Sequence, residues 1–157
     1  MNRLNPFKNK IAAWALWVCW CFMILKFSSD PGTVSGAKSG LILEKIVALL
    51  TTLGLNNLNQ DWIHFLIRKA AHTINYLCLG LVAFNALRFE KNLPLLKTLG
   101  LAFVMTFSFA ACDEVFQTFI PGRSGQVRDV LIDGTGASIG LIGVWVLGLR
   151  GNGKSKK

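Results

Sequence analysis

Residues 130–149 read VLIDGTGASIGLIGVWVLGL, twenty residues with a single charge, Asp133, near the start. A bilayer core about 30 Å thick takes roughly 17–25 mostly apolar residues as helix, because each backbone N–H and C=O must find its partner within the segment. This stretch has that length and composition. Working outward from it, Leu93–Cys112, Ala70–Phe89 and Ile11–Phe27 have the same character. The whole chain agrees: 157 residues, 52% hydrophobic, 16% charged, mean hydropathy +0.46. A soluble domain carries about 25% charged residues, so an ordinary soluble enzyme and a disordered chain are both excluded. The expected fold is all-α, an integral membrane domain over residues 1–150 with about four transmembrane helices. A basic tail follows at 151–157.

The first apolar run follows Arg3, Lys8 and Lys10, which is also how a secretory signal begins. No small-residue cleavage site follows directly, and Trp14, Trp17 and Trp20 suit a retained span. The four cysteines, Cys19, Cys21, Cys78 and Cys112, all fall within apolar segments. Cys19-x-Cys21 lacks zinc-ligand spacing, and its side chains leave different helix faces. All four are expected to be small packing residues.

Seventeen Lys and Arg against eight Asp and Glu give a net charge of +9. With an inside amino terminus, ten basic residues fall inside: Arg3, Lys8, Lys10, Arg88, Lys91, Lys97, Arg150, Lys154, Lys156 and Lys157. Seven fall in the longer outer loops: Lys26, Lys38, Lys45, Arg68, Lys69, Arg123 and Arg128. The positive-inside rule then predicts cytoplasmic termini. The basic tail reads as an anchor near anionic lipid, and no nucleic-acid partner is expected. All acids but Glu90 lie outside, which puts the polar chemistry on the outer face.

In the first outer loop, Ser28-Ser29-Asp30-Pro31-Gly32 is a turn. Leu41–Leu55 sets Ile42, Leu43, Ile46, Leu49, Leu50 and Leu53 against Glu44, Lys45, Thr51 and Thr52, the pattern of an interfacial amphipathic helix. Asn56-Asn57-Leu58 breaks it, and Asn59 caps the next helix. Along that helix Asp61, His64, Arg68, His72 and Tyr76 recur at helical spacing on one face. A polar stripe facing lipid is costly, so it must face the bundle. His64 sits high enough to be a surface imidazole, whereas His72 lies deeper.

The third span leads into DEVFQTFIPGR at 113–123, in which Asp113 and Glu114 both approach the face of Gln117. Pro121-Gly122 marks a tight turn. Arg128-Asp129 and then Asp133 follow. Asp129 is placed to cap the last helix, and Arg123 and Arg128 are placed to pair with the acids. Asp133, inside a span, needs a partner. Gly136-x-x-x-Gly140 predicts close helix packing.

Phe27-Ser28-Ser29, Arg68-Lys69-x-x-His72-x-x-x-Tyr76, Asp113-Glu114-x-x-Gln117-x-Phe119-x-Pro121-Gly122-Arg123 and Arg128-Asp129-x-x-x-Asp133-x-x-Gly136, in this order over residues 27–140, resemble the VanZ-like family. That family is named for a membrane protein associated with teicoplanin resistance. The resemblance implies a multi-pass protein of the bacterial cell membrane, involved with glycopeptide tolerance or the cell envelope. One departure stands out: the family often has an acid just before the Tyr of the His motif, and here it is Asn75.

Three function classes follow. As an enzyme, the protein would act on a lipid-linked or cell-envelope substrate at the outer face. His72 would be general acid or base, with Glu114 or Asp133 orienting it or binding a metal with it. Arg68 and Arg123 would hold phosphate or carboxylate, with Tyr76, Gln117 and Asp129 completing the binding site. As a binding module, the same residues would form a structural ion-pair network in a protein that holds lipid, lipid-linked wall precursor or glycopeptide. A transporter of four spans would need an oligomer. The motifs name no cofactor, and neither enzyme status nor oligomeric state follows from them.

Overall fold

The computed structural model describes residues 6–55, 59–90 and 93–154, with side chains placed from residue 9 to residue 147 within those ranges. Five helices follow in order: α1 Pro6–Ser28, α2 Gly32–Thr52, α3 Gln60–Leu87, α4 Leu95–Gln117 and α5 Val127–Lys154. Four of them, α1, α3, α4 and α5, are long and apolar enough to cross a membrane. The chain is a multi-pass membrane protein, and no strand occurs among the described residues. The orientation-setting Arg3, Lys91, Lys156 and Lys157, the side chains of Lys8, Arg150 and Lys154, and the helix break at Asn56-Asn57-Leu58 lie outside what the structure describes.

Helix α3 is the hub and packs against all four others, most extensively against α5. Small residues set that closeness. A Cβ on Gly136 would collide with the Thr73 carbonyl, and one on Gly140 would press within 3.0 Å of the Leu77 carbonyl. Ala83, Ala102, Ala110 and Ala137 are fully buried at the seams, as membrane helices require when backbone approach supplies the packing. Tyr76 and Leu79 fill the centre between α1, α3 and α4.

Asn59 caps α3 as expected, its side chain accepting the Trp62 N–H at 3.0 Å. The helix then runs unbroken for 28 residues, about 42 Å, so its first turns and the second span are one rod. The third apolar helix carries Asp113, Glu114 and Gln117 in its last turns, as their shared face implied, and ends before Pro121-Gly122. Two boundaries differ from the sequence pattern. The last apolar helix runs past Leu149 to Lys154. The loop helix starts at Gly32, nine residues before Leu41, in spite of Gly36 and Gly40. Packing on α3 overrides the glycine penalty there. Ser39, Leu43, Ile46 and Leu50 turn inward, while Ile42, Leu49 and Leu53 stay exposed.

Packing was also expected of every cysteine. Cys21 is buried and Cys78 half-buried, but Cys19 and Cys112 face outward. At the end of the bundle away from the motif loops, Lys10 donates to Glu90 at 2.7 Å and the Trp14 indole adds a bond at 3.3 Å. The Lys10 bond holds the Glu90 carboxyl below its ordinary range.

Candidate functional site

The site begins with a turn. The Ile120 carbonyl accepts the Arg123 N–H at 3.1 Å across Pro121 and Gly122, and Gly122 has φ +73°. Proline at the second corner position and a positive-φ glycine at the third is type II turn chemistry. The turn also docks α2: Gly32 N–H donates to the Pro121 carbonyl at 3.0 Å, and Gly32 sits so near Gly122 that a side chain on it would overlap the backbone. Gly125 likewise lets the loop lie against the end of α4, where Gln126 N–H donates to Glu114 Oε2 at 2.9 Å.

The turn aims Arg123 back into the protein. Its guanidinium donates to the carbonyls of Asp30 at 3.0 Å and Phe27 at 2.8 Å, and to Gln117 Oε1 at 3.2 Å. It therefore ties α1 and the α1–α2 turn to α4 through oxygen atoms that carry no charge. It does not pair with an acid, contrary to the sequence expectation, because the turn points it at the α1 end. Burial first, and the neighbouring Arg68 second, push it below the usual guanidinium range.

Below Arg123 lies Asp113, 1% exposed. Its Oδ2 accepts from Ser28 at 2.8 Å, Tyr76 at 3.1 Å and Gln117 at 3.1 Å. One oxygen thus joins α1, α3 and α4. Gln117 also donates to Glu114 Oε1 at 3.3 Å, as the shared helix face predicts.

The second carboxylate group is different. Asp133 on α5 is fully buried, and neither oxygen has a hydrogen-bond partner. His72 faces it, with Nδ1 at 3.5 Å from Oδ1. One ligand-type atom from each of His72, Glu114 and Asp133 lies within 4.8 Å of the others. Three helices contribute one residue each: α3, α4 and α5.

Two cavities share Arg68, His72 and Arg123 in their linings. One, about 320 Å³, is amphipathic: Ile24, Phe27, Ile42 and Ile67 form its apolar wall, Arg68 and Arg123 its basic rim beside the Lys38–Asp30 ion pair, and His72, Asn75 and Tyr76 its floor. Asn75 thus lines this cleft, and its backbone carbonyl accepts the Trp20 indole N–H at 3.2 Å. The other, about 360 Å³, is polar and lined by Asp61, His64, Lys69, Gln117 and Asp129 among others.

All eight residues singled out as a site lie at this end of the bundle, but in different roles. Arg68, His72, Tyr76 and Arg123 line the amphipathic cleft. Gln117 and Asp129 line the polar cavity, and Glu114 and Asp133 stand behind His72. Asp129 does not cap α5: its carboxylate pairs with Lys69, and the α5 start uses the Gln126 carbonyl for the Asp129 N–H instead. Arg128 does not pair with an acid either; its guanidinium lies 5.5 Å from the Phe65 ring centre. His64 is half-buried rather than a surface imidazole, in contact with Ser39 Oγ at 2.5 Å. The residues that sequence reasoning passed over are Asp113 as the central acceptor, Ser28, Ser39 and Lys69. Asp113 and Ser28 stood within the quoted motifs, and burial at the tip of a span was the available signal for Asp113.

No curated protein and no solved structure matches the chain. The family model VanZ/LLP1 matches residues 13–148, a range that takes in α3 and α4 whole, most of α1 and α5 and every residue of the cleft, so the chain belongs to the VanZ/LLP1 family.

Proposed function

We propose that this protein works at the outer face of the bacterial cell membrane, with both termini cytoplasmic, on an amphiphile whose headgroup is an anion. A lipid-linked cell-envelope precursor has that chemistry, and action on it would contribute to teicoplanin tolerance. The observation that carries this reading is the cleft itself: an apolar wall and a basic rim meet over His72. Phosphate takes bidentate contacts from a guanidinium, and an acyl or polyprenyl chain takes the Ile24, Phe27 and Ile42 side. Arg68 and Arg123 are close enough to repel, and an anion between them removes that cost. The exposed Leu49 and Leu53 of α2 suit a helix lying in the lipid interface beside the opening. His72 is the reactive group within the cleft, with Glu114 and Asp133 behind it.

A second reading has one observation in its favour. The Asp113 network is bonded on three sides and needs no ligand to explain it. In that reading the protein holds and shields the lipid or glycopeptide without altering it.

Binding of dodecyl phosphate to the detergent-purified chain, followed by tryptophan fluorescence, tests the proposal. Saturable binding is expected, with dodecanol at least about tenfold weaker and Arg68→Ala at least about tenfold weaker than the parent. Equal binding of alcohol and phosphate overturns it. In a susceptible Gram-positive host the parent should raise teicoplanin tolerance more than vancomycin tolerance, and His72→Ala should lose the effect at equal membrane abundance. A cysteine at Ser124 should react with an impermeant thiol reagent in intact cells; reaction only after permeabilisation overturns the orientation.

A further inference from the structure

We propose that His72, Glu114 and Asp133 are the ligands of a single divalent transition-metal cation, of the Zn²⁺ or Mn²⁺ class. The inference rests on the amphiphile reading only for what the ion would face, not for the ion itself.

Three independent features point to a cation. The first is geometry. One nitrogen and two carboxylates converge from three helices, their atoms all within 4.8 Å. The His72 to Asp133 separation of 3.5 Å is close to the ~3.4 Å between two ligands of a tetrahedral ion with bonds of about 2.1 Å. The second is Asp133. It is fully buried, it points into the group, and both of its oxygens lack a hydrogen-bond donor. A carboxylate stripped of water in a membrane protein needs a partner of opposite charge or several donors. The third is the charge around it. Among the described residues no lysine or arginine pairs with Asp113, Glu114 or Asp133; Lys69 is taken by Asp129 and Lys10 by Glu90. With two carboxylates facing one imidazole, His72 can balance at most one of them, and a bound ion supplies the rest.

The surroundings match such a site. Glu114 is oriented by Gln117 on Oε1 and by the Gln126 N–H on Oε2, leaving a lone pair on each oxygen for the ion. Imidazole with two carboxylates suits Zn²⁺ or Mn²⁺ better than a soft ion, and the outward-facing Cys19 and Cys112 are elsewhere. Three protein ligands leave at least one coordination position free. His72 is the ligand that also lines both cavities, so the ion would sit directly behind the cleft that takes the headgroup.

The test uses the full chain in detergent, stripped with chelator and then titrated with Zn²⁺ alone by calorimetry and Mn²⁺ alone by loss of the free-ion EPR signal. One ion per chain is expected for at least one metal, with a higher melting temperature at saturation. Asp133→Asn and Glu114→Gln keep side-chain shape and should each weaken binding on the order of 100-fold and abolish the melting shift. Cys19→Ser with Cys112→Ser should change neither. A folded parent that binds no stoichiometric ion overturns the site, as does unchanged affinity in either carboxamide variant that folds. No amphiphile is present in the titration. A chain that takes the ion and ignores dodecyl phosphate therefore upholds this site and defeats the lipid reading, and the reverse result defeats the ion site alone.

Discussion

Asp113 and Asp133 sit on neighbouring helices of the same bundle end, 1% and 0% exposed. Burial does not distinguish them; their partners do. Three donors from α1, α3 and α4 converge on Asp113 Oδ2, and only its Oδ1 goes without. Asp133 receives no donor on either oxygen and faces an imidazole at 3.5 Å. A buried carboxylate in a membrane bundle is expensive in both places. At Asp113 the hydrogen bonds offset that cost, and the residue works as a staple. At Asp133 no hydrogen bond offsets it and only the His72 imidazole faces the charge, so the cost is met in part, at a site that another species completes. The comparison separates architecture from chemistry within one cluster of acids.

The largest expected effect breaks the staple. Asp113→Ala leaves the Ser28 hydroxyl, the Tyr76 hydroxyl and one bond of the Gln117 amide without their acceptor. At about 1–3 kcal/mol for each stranded buried group, the loss should reach about 3 kcal/mol or more. Thermal melting in detergent, read beside Tyr76→Phe, should show a steep drop for the alanine variant and a loss of about 1 kcal/mol for the phenylalanine one. An unchanged midpoint for Asp113→Ala would erase the distinction between the two carboxylates.

A smaller effect comes from the seam that carries Asp133 to His72. Gly136 is one turn beyond Asp133, and Thr73 follows His72; a side chain on Gly136 would meet the Thr73 backbone. Gly136→Val should push α5 off α3 and cost about 1–3 kcal/mol, with weaker ion binding at the site. Gly143, where an added methyl group would meet nothing within 4 Å, takes the same change as a control. Equal melting of the two variants would show that the α3–α5 approach does not set the geometry.

Much of this was legible in the chain. Span length and charge depletion gave the four apolar helices, because a bilayer imposes one length on each. The 3.6-residue period put His72 and Tyr76 on one face of α3, and both do point inward. What did not follow was pairing. Arg123 looked like a partner for the acids because charge is visible in a sequence, whereas the carbonyls of Phe27 and Asp30 that hold it are not. Asp129 looked like a helix cap, but Lys69 sixty positions earlier competes for its carboxylate, and only the fold brings the two together. Asp113 was one acid among several until α1 and α3 delivered donors to it. The start of α2 at Gly32 depends in the same way on Gly122, ninety residues on.

The smallest expected change in stability is the most informative. Asp133→Asn removes a buried charge, keeps the side-chain shape and strands no protein donor, since none reaches either oxygen. Its melting temperature without added metal should match that of the parent within about 1 kcal/mol of stability. Dodecyl phosphate binding without added metal should persist, because Arg68 and Arg123 at the rim are untouched. The two functional readings part at that point. If the protein acts on what it binds, the Asn variant binds dodecyl phosphate as the parent does but confers no teicoplanin tolerance. If it only holds and shields the lipid, tolerance survives with binding, and Asp133 joins Asp113 as architecture. A large loss of stability would contradict both, because it would mean that Asp133 is paired inside the folded protein after all.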